Sequence, residues 1–149
     1  MQQCAGTVKK LSLELGGNAP FIVFDDADIE MGVKGAIASK YHNAGQTWVC
    51  ANRILVQDGV YDAFTKRLAE TTGAMKVTDG FEPAAVIGPL IDMKAVEKVE
   101  AHIADAVKKG DKVVLGGKRA AQGGSFFEPT VLTDVTTDMV ITKEKPSGR

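Results

Sequence analysis

Two short segments of the sequence contain the residue types that could carry out chemistry. The first, Leu13–Pro20, places the carboxylate of Glu14 between apolar residues and ahead of two glycines. The second, Asn43–Arg53, contains the thiol of Cys50. A carboxylate can act as a general base and a thiolate as a nucleophile. On spacing alone, the first segment fits a strand end with a solvated glutamate equally well.

The rest of the sequence predicts the elements that must position these segments. Apolar, β-branched or aromatic runs predict four strands, at Pro20–Phe24, Arg53–Gln57, Val113–Leu115 and Thr130–Leu132. Helical spacing of apolar residues predicts three helices, which begin after Asp28, near Val60 and after the expected cap Asp92. Because parallel strands need a long crossover, we expect an α/β three-layer sandwich with a mostly parallel sheet. No linker divides the chain, so residues 1–149 are expected to form one domain, or part of one.

The two chemical segments, with the distance between them, resemble the glutamate and cysteine signatures of the aldehyde dehydrogenase superfamily. The sequence of the second segment, Asn-Ala-Gly-Gln-Thr-Trp-Val-Cys-Ala-Asn-Arg, is similar to the corresponding sequence of the bacterial succinate-semialdehyde dehydrogenases. The likeness continues through Ile87–Ile91 and Phe126–Thr130, so it covers nearly the whole chain. The resemblance implies that residues 1–149 are an incomplete aldehyde dehydrogenase catalytic domain.

The resemblance also implies roles for two residues. In this family a cysteine thiolate attacks the aldehyde, a hydride leaves for NAD(P), and a glutamate activates the water that releases the acid. Glu14 matches that general base. Trp48 stands where the nucleophilic cysteine is expected, and its indole offers only an N–H donor. We therefore expect no oxidoreductase turnover from this chain.

Two further residues of the second motif region leave alternatives open. His42 stands where the related enzymes have an arginine that holds the substrate's distal carboxylate, and a histidine cannot form that bidentate fork. The plainer interpretation of His42 is a partly buried histidine at a helix end. Cys50 matches the second cysteine of a Cys-x-Cys redox pair found in some members of the family. Its plainer interpretation is a small buried apolar residue.

Two other functions remain open at this point. Aldehyde dehydrogenases also hydrolyse small activated esters without a nicotinamide, and Cys50 could then be the nucleophile, with His42 or Glu14 as its base. Positions 48 and 50 point the same way only if that segment is extended. The other possibility is a non-enzymatic module that self-associates, as a homo-oligomer, through exposed strand edges.

The two ends of the sequence suggest a partial gene product. The family's nucleotide-binding domain lies N-terminal to the glutamate motif, so we expect that domain to be absent. NAD(P) is the cofactor of the parent family, and none is expected for this chain alone. Lys145 replaces the glutamate that holds the nicotinamide ribose, and deletion of one base after the Glu144 codon would give Lys-Pro-Ser-Gly-Arg. We expect a start at an internal methionine and an end after such a frameshift.

The composition narrows the class of protein further. The 18 basic and 19 acidic residues give a net charge of -1, which provides no basic surface for nucleic acid. No apolar run long enough for a membrane span and no secretory signal is present. Two cysteines favour neither a metal site nor a secreted disulfide scaffold, so we expect a cytoplasmic protein without a metal. A small aldehyde or ester is the expected ligand.

Overall fold

A computed structural model of the chain describes residues 1–13 and 17–144. The helices are α1 (Gln2–Ala5), α2 (Ile29–Lys40), α3 (Asp58–Gly73), α4 (Met93–Lys108) and α5 (Val140–Lys143), with a 3₁₀ turn at His42–Gly45. The strands are β1 (Ala19–Val23), β2 (Ala51–Val56), β3 (Lys112–Leu115) and β4 (Val131–Thr133). The predicted α/β class is confirmed, and the four predicted strands lie within two residues of the observed ones.

The first two strands form a parallel pair, as the sequence predicts. Ile22 lies beside Leu55 and Val23 beside Val56 in this pair. The chain between the two strands contains α2, which supplies the crossover that a parallel connection needs. Both α2 and α3 pack against β2 and against each other. One face of the β1–β2 pair is therefore covered by two helices.

The main hydrophobic core lies between this covered face and the two helices. Six buried residues form it: Val23, Val33, Ala36, Phe64, Leu68 and Val131. They come from β1, α2, α3 and β4, so the core joins both strand pairs. The ring of Phe64 lies 3.3 Å from the position that a Cβ on Gly32 would occupy, which shows how closely α2 and α3 approach. A side chain at position 32 would have to displace that ring.

Two aspartates begin the helices at the predicted places. The side chain of Asp28 accepts a 3.0 Å hydrogen bond from the backbone N–H of Met31. The side chain of Asp92 accepts a 2.8 Å hydrogen bond from the backbone N–H of Ala95. Each bond satisfies one of the backbone donors that the first turn of a helix leaves unpaired. The expectation that Asp92 caps the long helix is confirmed.

The third and fourth strands pair antiparallel, so the expectation of parallel pairing is wrong for them. Lys112 lies beside Thr133 and Val113 beside Leu132. The connection over residues 116–130 contains no helix, and an antiparallel pair needs no helical crossover. Gly116 turns the chain at the end of β3 with φ +70°, and its Cβ position would lie 2.3 Å from the carbonyl oxygen of Pro129. Only glycine fits there.

A large cleft opens between the two strand pairs. We call it the central cleft; it has a volume of about 1510 Å³ and is lined by β2, β4 and the inner sides of α3 and α4. Within residues 1–13 and 17–144, β1–β2 and β3–β4 are separate two-stranded sheets.

The described residues were also searched for metal-binding clusters and for membrane-spanning helices. No group of three or more histidine, cysteine, aspartate or glutamate side chains there could hold a metal ion. No helix in the described ranges has the length and apolar character to cross a membrane.

We predict that Phe64→Ala destabilises the protein by about 3–5 kcal/mol, because it opens a cavity in the core that joins α2, α3 and β4. Phe64 is only 1% exposed. The matched control is Phe81→Ala, since Phe81 is 100% exposed. Urea unfolding followed by circular dichroism measures both changes. Equal midpoints for the two variants would show that this core does not hold the fold together.

Candidate functional site

The segment that follows α2 makes a left-handed turn. Three consecutive residues have positive φ: Asn43 at 52°, Ala44 at 55° and Gly45 at 77°. Two of these are not glycine, and left-handed backbone costs an L-residue about 1–2 kcal/mol. A Cβ at position 45 would come within 3.3 Å of the carbonyl oxygen of Lys40. Such strain persists only where neighbouring contacts hold the backbone in place.

The side chain of Gln46 provides contacts of this kind. Its Nε2 donates to the carbonyl oxygens of Asn43, at 3.2 Å, and Pro89, at 3.4 Å. Its Oε1 accepts a 2.8 Å hydrogen bond from the backbone N–H of Ile91. Gln46 therefore joins the left-handed turn to the loop that precedes α4.

A second turn decides where positions 48 and 50 point. The backbone N–H of Cys50 donates to the carbonyl oxygen of Thr47 at 3.2 Å, which closes a turn over residues 47–50. The hydroxyl of Thr47 donates to the carbonyl oxygen of His42 at 3.3 Å. Trp48 lies at the tip of the turn and is 50% exposed, whereas Cys50 is 1% exposed. The segment is not extended, so the two side chains have opposite surroundings.

Cys50 is a buried free thiol, which agrees with its plainer interpretation. A nucleophile has to reach a substrate, and a thiol with this burial has no access to one while the turn is closed. The esterase hypothesis therefore gains no support from the position of Cys50. Cys4, in α1, is partly exposed.

His42 lies at the first position of the 3₁₀ turn and is exposed. The expectation of a partly buried histidine is wrong in this respect, because α2 ends at Lys40 and His42 lies beyond that end, exposed at the surface just before the left-handed turn. Its neighbour Tyr41 is anchored instead. The hydroxyl of Tyr41 donates to the carbonyl oxygen of Thr130 at 3.3 Å, and desolvation by the surrounding protein raises the pKa of this phenol.

The proposed general base, Glu14, lies outside the described residues. The part of its motif that is described, however, contacts the second motif. The carbonyl oxygen of Asn18 accepts a 2.6 Å hydrogen bond from Nη2 of Arg53, and Nδ2 of Asn18 donates to the carbonyl oxygen of Thr142 at 3.3 Å. The two motifs meet at this point. The sequence patterns did not single out Arg53 or Gln46, although both lie within the Asn43–Arg53 segment.

Comparison with known proteins identifies the family. A model of the aldehyde dehydrogenase family matches residues 1–148. The chain belongs to the aldehyde dehydrogenase family. It is 58% identical over 148 residues to the succinate-semialdehyde dehydrogenase [NADP(+)] of Escherichia coli K12, with 99% of this chain and 31% of that relative covered.

Solved structures of aldehyde dehydrogenases agree. The succinate-semialdehyde dehydrogenase of Burkholderia pseudomallei is 60% identical, with a TM-score of 0.93, and the match covers 99% of this chain and 30% of that one. A betaine aldehyde dehydrogenase of Staphylococcus aureus, solved with NAD⁺, is 37% identical, with a TM-score of 0.87, and the match covers 99% of this chain and 30% of that one.

Two predictions from the sequence are thereby confirmed. The chain belongs to the predicted family, and it spans about 30% of the length of the relatives it matches. It is thus a fragment of the aldehyde dehydrogenase fold, and its parent family depends on NAD(P).

We predict that Gln46→Ala loosens the turn that carries Trp48. The variant loses three hydrogen bonds, and an intramolecular hydrogen bond is worth about 0.5–1.5 kcal/mol. Trp48 is the sole tryptophan, so acrylamide quenching of its fluorescence reports on this turn alone. Quenching should increase in Gln46→Ala.

Gln46→Glu keeps the acceptor for Ile91 but loses both donated bonds, and should give an intermediate result. The matched control is Gln122→Ala, because Gln122 also donates to a backbone carbonyl, that of Val77. The same quenching in Gln46→Ala and the unaltered chain would refute the role of Gln46.

Proposed function

We propose that this chain is the part of a succinate-semialdehyde-type aldehyde dehydrogenase that carries the nucleophile position, and that it has no oxidoreductase turnover. The observation that supports this is the placement of residues 48 and 50. Trp48 occupies the exposed tip of the turn, where the family's cysteine is expected, while the thiol of Cys50 is buried. An indole cannot form the thiohemiacetal from which a hydride leaves.

We propose that the described residues do not form a nicotinamide dinucleotide site by themselves. Such a site uses a glycine-rich loop between a strand and the N-terminus of a helix. The glycines at positions 116, 117, 123 and 124 all have positive φ, but they lie in the helix-free connection between β3 and β4. We therefore assign no step of this chain's chemistry to a bound nicotinamide, and we propose that it holds none by itself.

We propose that position 42 contributes to the substrate preference of the parent reaction. The E. coli relative is named for succinate semialdehyde, an aldehyde with a distal carboxylate. An arginine at position 42 would offer that carboxylate two parallel N–H donors, whereas the exposed imidazole of His42 offers at most one donor in a given direction. We propose that His42 weakens recognition of a dicarboxylic semialdehyde, and that Glu14 keeps the position of the general base.

The cellular setting is also a proposal. Two free cysteines, one of them buried, suit a reducing compartment, and we propose the cytoplasm. We propose a small aldehyde or ester as the ligand, and neither nucleic acid nor a membrane as a partner, because the net charge is only -1.

We predict that the chain forms no NAD(P)H with succinate semialdehyde above a heat-inactivated blank. The chain also spans only about 30% of the length of its relatives, which by itself would prevent turnover. A chimera separates this cause from the replacement of the nucleophile by Trp48. Residues 1–144 replace the matching region of the E. coli relative, and reduction of NADP⁺ is followed at 340 nm. The chimera with Trp48 should be inactive, and Trp48→Cys should raise its rate by at least about a thousandfold.

The control for this chimera is Val49→Cys, which puts a thiol on the adjacent, 78% exposed residue. It should remain inactive, since the reacting atoms must meet in a defined geometry. Turnover by the Trp48 chimera, or by the unaltered chain, would disprove the proposed loss of catalysis. Adding His42→Arg to the active chimera should lower KM for succinate semialdehyde more than for an uncharged aldehyde.

We predict that Cys50→Ala does not change the rate at which the chain hydrolyses p-nitrophenyl acetate, because the thiol is 1% exposed. Glu14→Gln tests the proposed base in the same assay, and Cys4→Ala is the control for a partly exposed thiol. A loss of rate confined to Cys50→Ala and Glu14→Gln would revive the esterase hypothesis. Release of p-nitrophenol is measured at 405 nm.

A further inference from the structure

The loop between α2 and β2 is closed at its base by two side chains of α2. The hydroxyl of Ser39 accepts a 3.3 Å hydrogen bond from the backbone N–H of Ala51. Nζ of Lys40 donates a 3.0 Å hydrogen bond to Oδ1 of Asn52. The loop at residues 41–50 therefore has adjoining ends, as in the compact Ω-loops that often carry functional residues.

The side chain of Lys40 also lies against the left-handed turn. A Cβ on Gly45 would lie 3.4 Å from Nζ of Lys40 and 3.5 Å from its Cε, and Gly45 is buried. The aliphatic stem of a lysine can pack along a surface while its ammonium group bonds elsewhere. The end of the Lys40 stem packs at the turn, and its ammonium group reaches the start of β2. One side chain therefore joins the turn to the strand.

The hydrogen-bond partner of this ammonium group, Asn52, occupies an irregular position in β2. Ala51 lies beside Ala19, but Arg53 lies beside Pro20, so Asn52 is an extra residue on its strand. Such a bulge bends a strand and changes the direction of its side chains. Nδ2 of Asn52 is buried without a hydrogen-bond partner among the described residues, so the amide is anchored through Oδ1. The ammonium group that donates to Oδ1 therefore fixes the bulge.

The loop at residues 41–50 carries Trp48 at its tip, and hydrogen bonds connect the tip to the base. The hydroxyl of Thr47 donates to the carbonyl oxygen of His42, and the backbone N–H of Cys50 donates to the carbonyl oxygen of Thr47. Because these bonds link the two halves of the loop, the position of the tip follows the position of the base.

We propose that Lys40 is a positioning residue. Through its contacts with Gly45 and Asn52 it fixes the loop at residues 41–50, and thereby the direction in which the side chain at position 48 points. The role requires no contact between Lys40 and a reacting atom. Its consequence for catalysis rests on the proposed function, in which position 48 is the nucleophile position. There, a displacement of about 1 Å can lower a rate by about a hundredfold.

Acrylamide quenching of Trp48 fluorescence tests the position of the loop in this chain. Lys40→Met keeps most of the stem and removes the ammonium group. It should raise the quenching constant by up to about twofold, because Trp48 is already 50% exposed and opening of the loop exposes the rest. Lys40→Arg keeps a charged donor and should give a smaller rise. The matched control is Lys34→Met, the same change at an exposed position of the same helix, which should leave quenching unchanged.

A double-mutant cycle tests whether Lys40 acts through Asn52. Asn52→Ala removes the acceptor and should also raise the quenching constant. If the two side chains act through their shared hydrogen bond, the double variant should be quenched no more than Lys40→Met alone. Circular dichroism and thermal unfolding select a temperature at which every variant is folded, so that quenching reports on the loop.

The chimera with Trp48→Cys measures the effect on catalysis. Adding Lys40→Met should lower kcat by at least about tenfold with little change in KM, because the thiol is displaced while the rest of the substrate site is unaltered. Lys40→Arg should recover part of this loss, and Lys34→Met should cause none. A change that only destabilised the fold would lower the rate in proportion to the folded fraction, which circular dichroism measures.

Three results would overturn the role of Lys40. They are equal quenching in Lys40→Met and Lys34→Met, additive effects of Lys40→Met and Asn52→Ala, and an active chimera in which Lys40→Met leaves kcat unchanged. Absence of turnover in the chimera with Trp48→Cys would count against the proposed function instead. The quenching measurement needs no activity, so it decides the position of the loop in either case.

Discussion

The left-handed turn at residues 43–45 is the constraint on which the rest of this structure depends. It lies between the end of α2 and the start of β2, and the chain passes through it before β2 pairs with β1. This path places the second strand parallel to the first, with α2 as the crossover between them. The same turn leads directly into the turn over residues 47–50, which carries Trp48. Fold and site thus share one strained piece of backbone.

Gln46 shows how such backbone is stabilised by contacts distant in sequence. Its partners at positions 89 and 91 belong to the loop before α4, so the turn and that helix hold each other in place. Arg53 does the same for the first motif through the carbonyl of Asn18. Substitution of either residue would therefore act on the site through geometry, even where no reacting atom is touched.

How much of this could be predicted from the sequence depended on the distance between the interacting groups. Asp28 and Asp92 were predictable as caps because each bonds to a backbone group three residues away. The antiparallel β3–β4 pair was not, since nothing local distinguishes a short strand that pairs in one direction from its reverse. The identity of Trp48 could be read directly, but the burial of Cys50 beside it required knowledge of a turn that apolar patterning does not reveal.

The closed turn over residues 47–50 has a consequence for how this protein ages. The sulfur of Cys50 sits behind the turn, out of contact with dissolved peroxide, while Cys4 is partly open to it. Oxidation of Cys50 therefore requires local opening of the structure around this side chain. The extent of oxidation of Cys50 over time would therefore report how often this part of the structure opens.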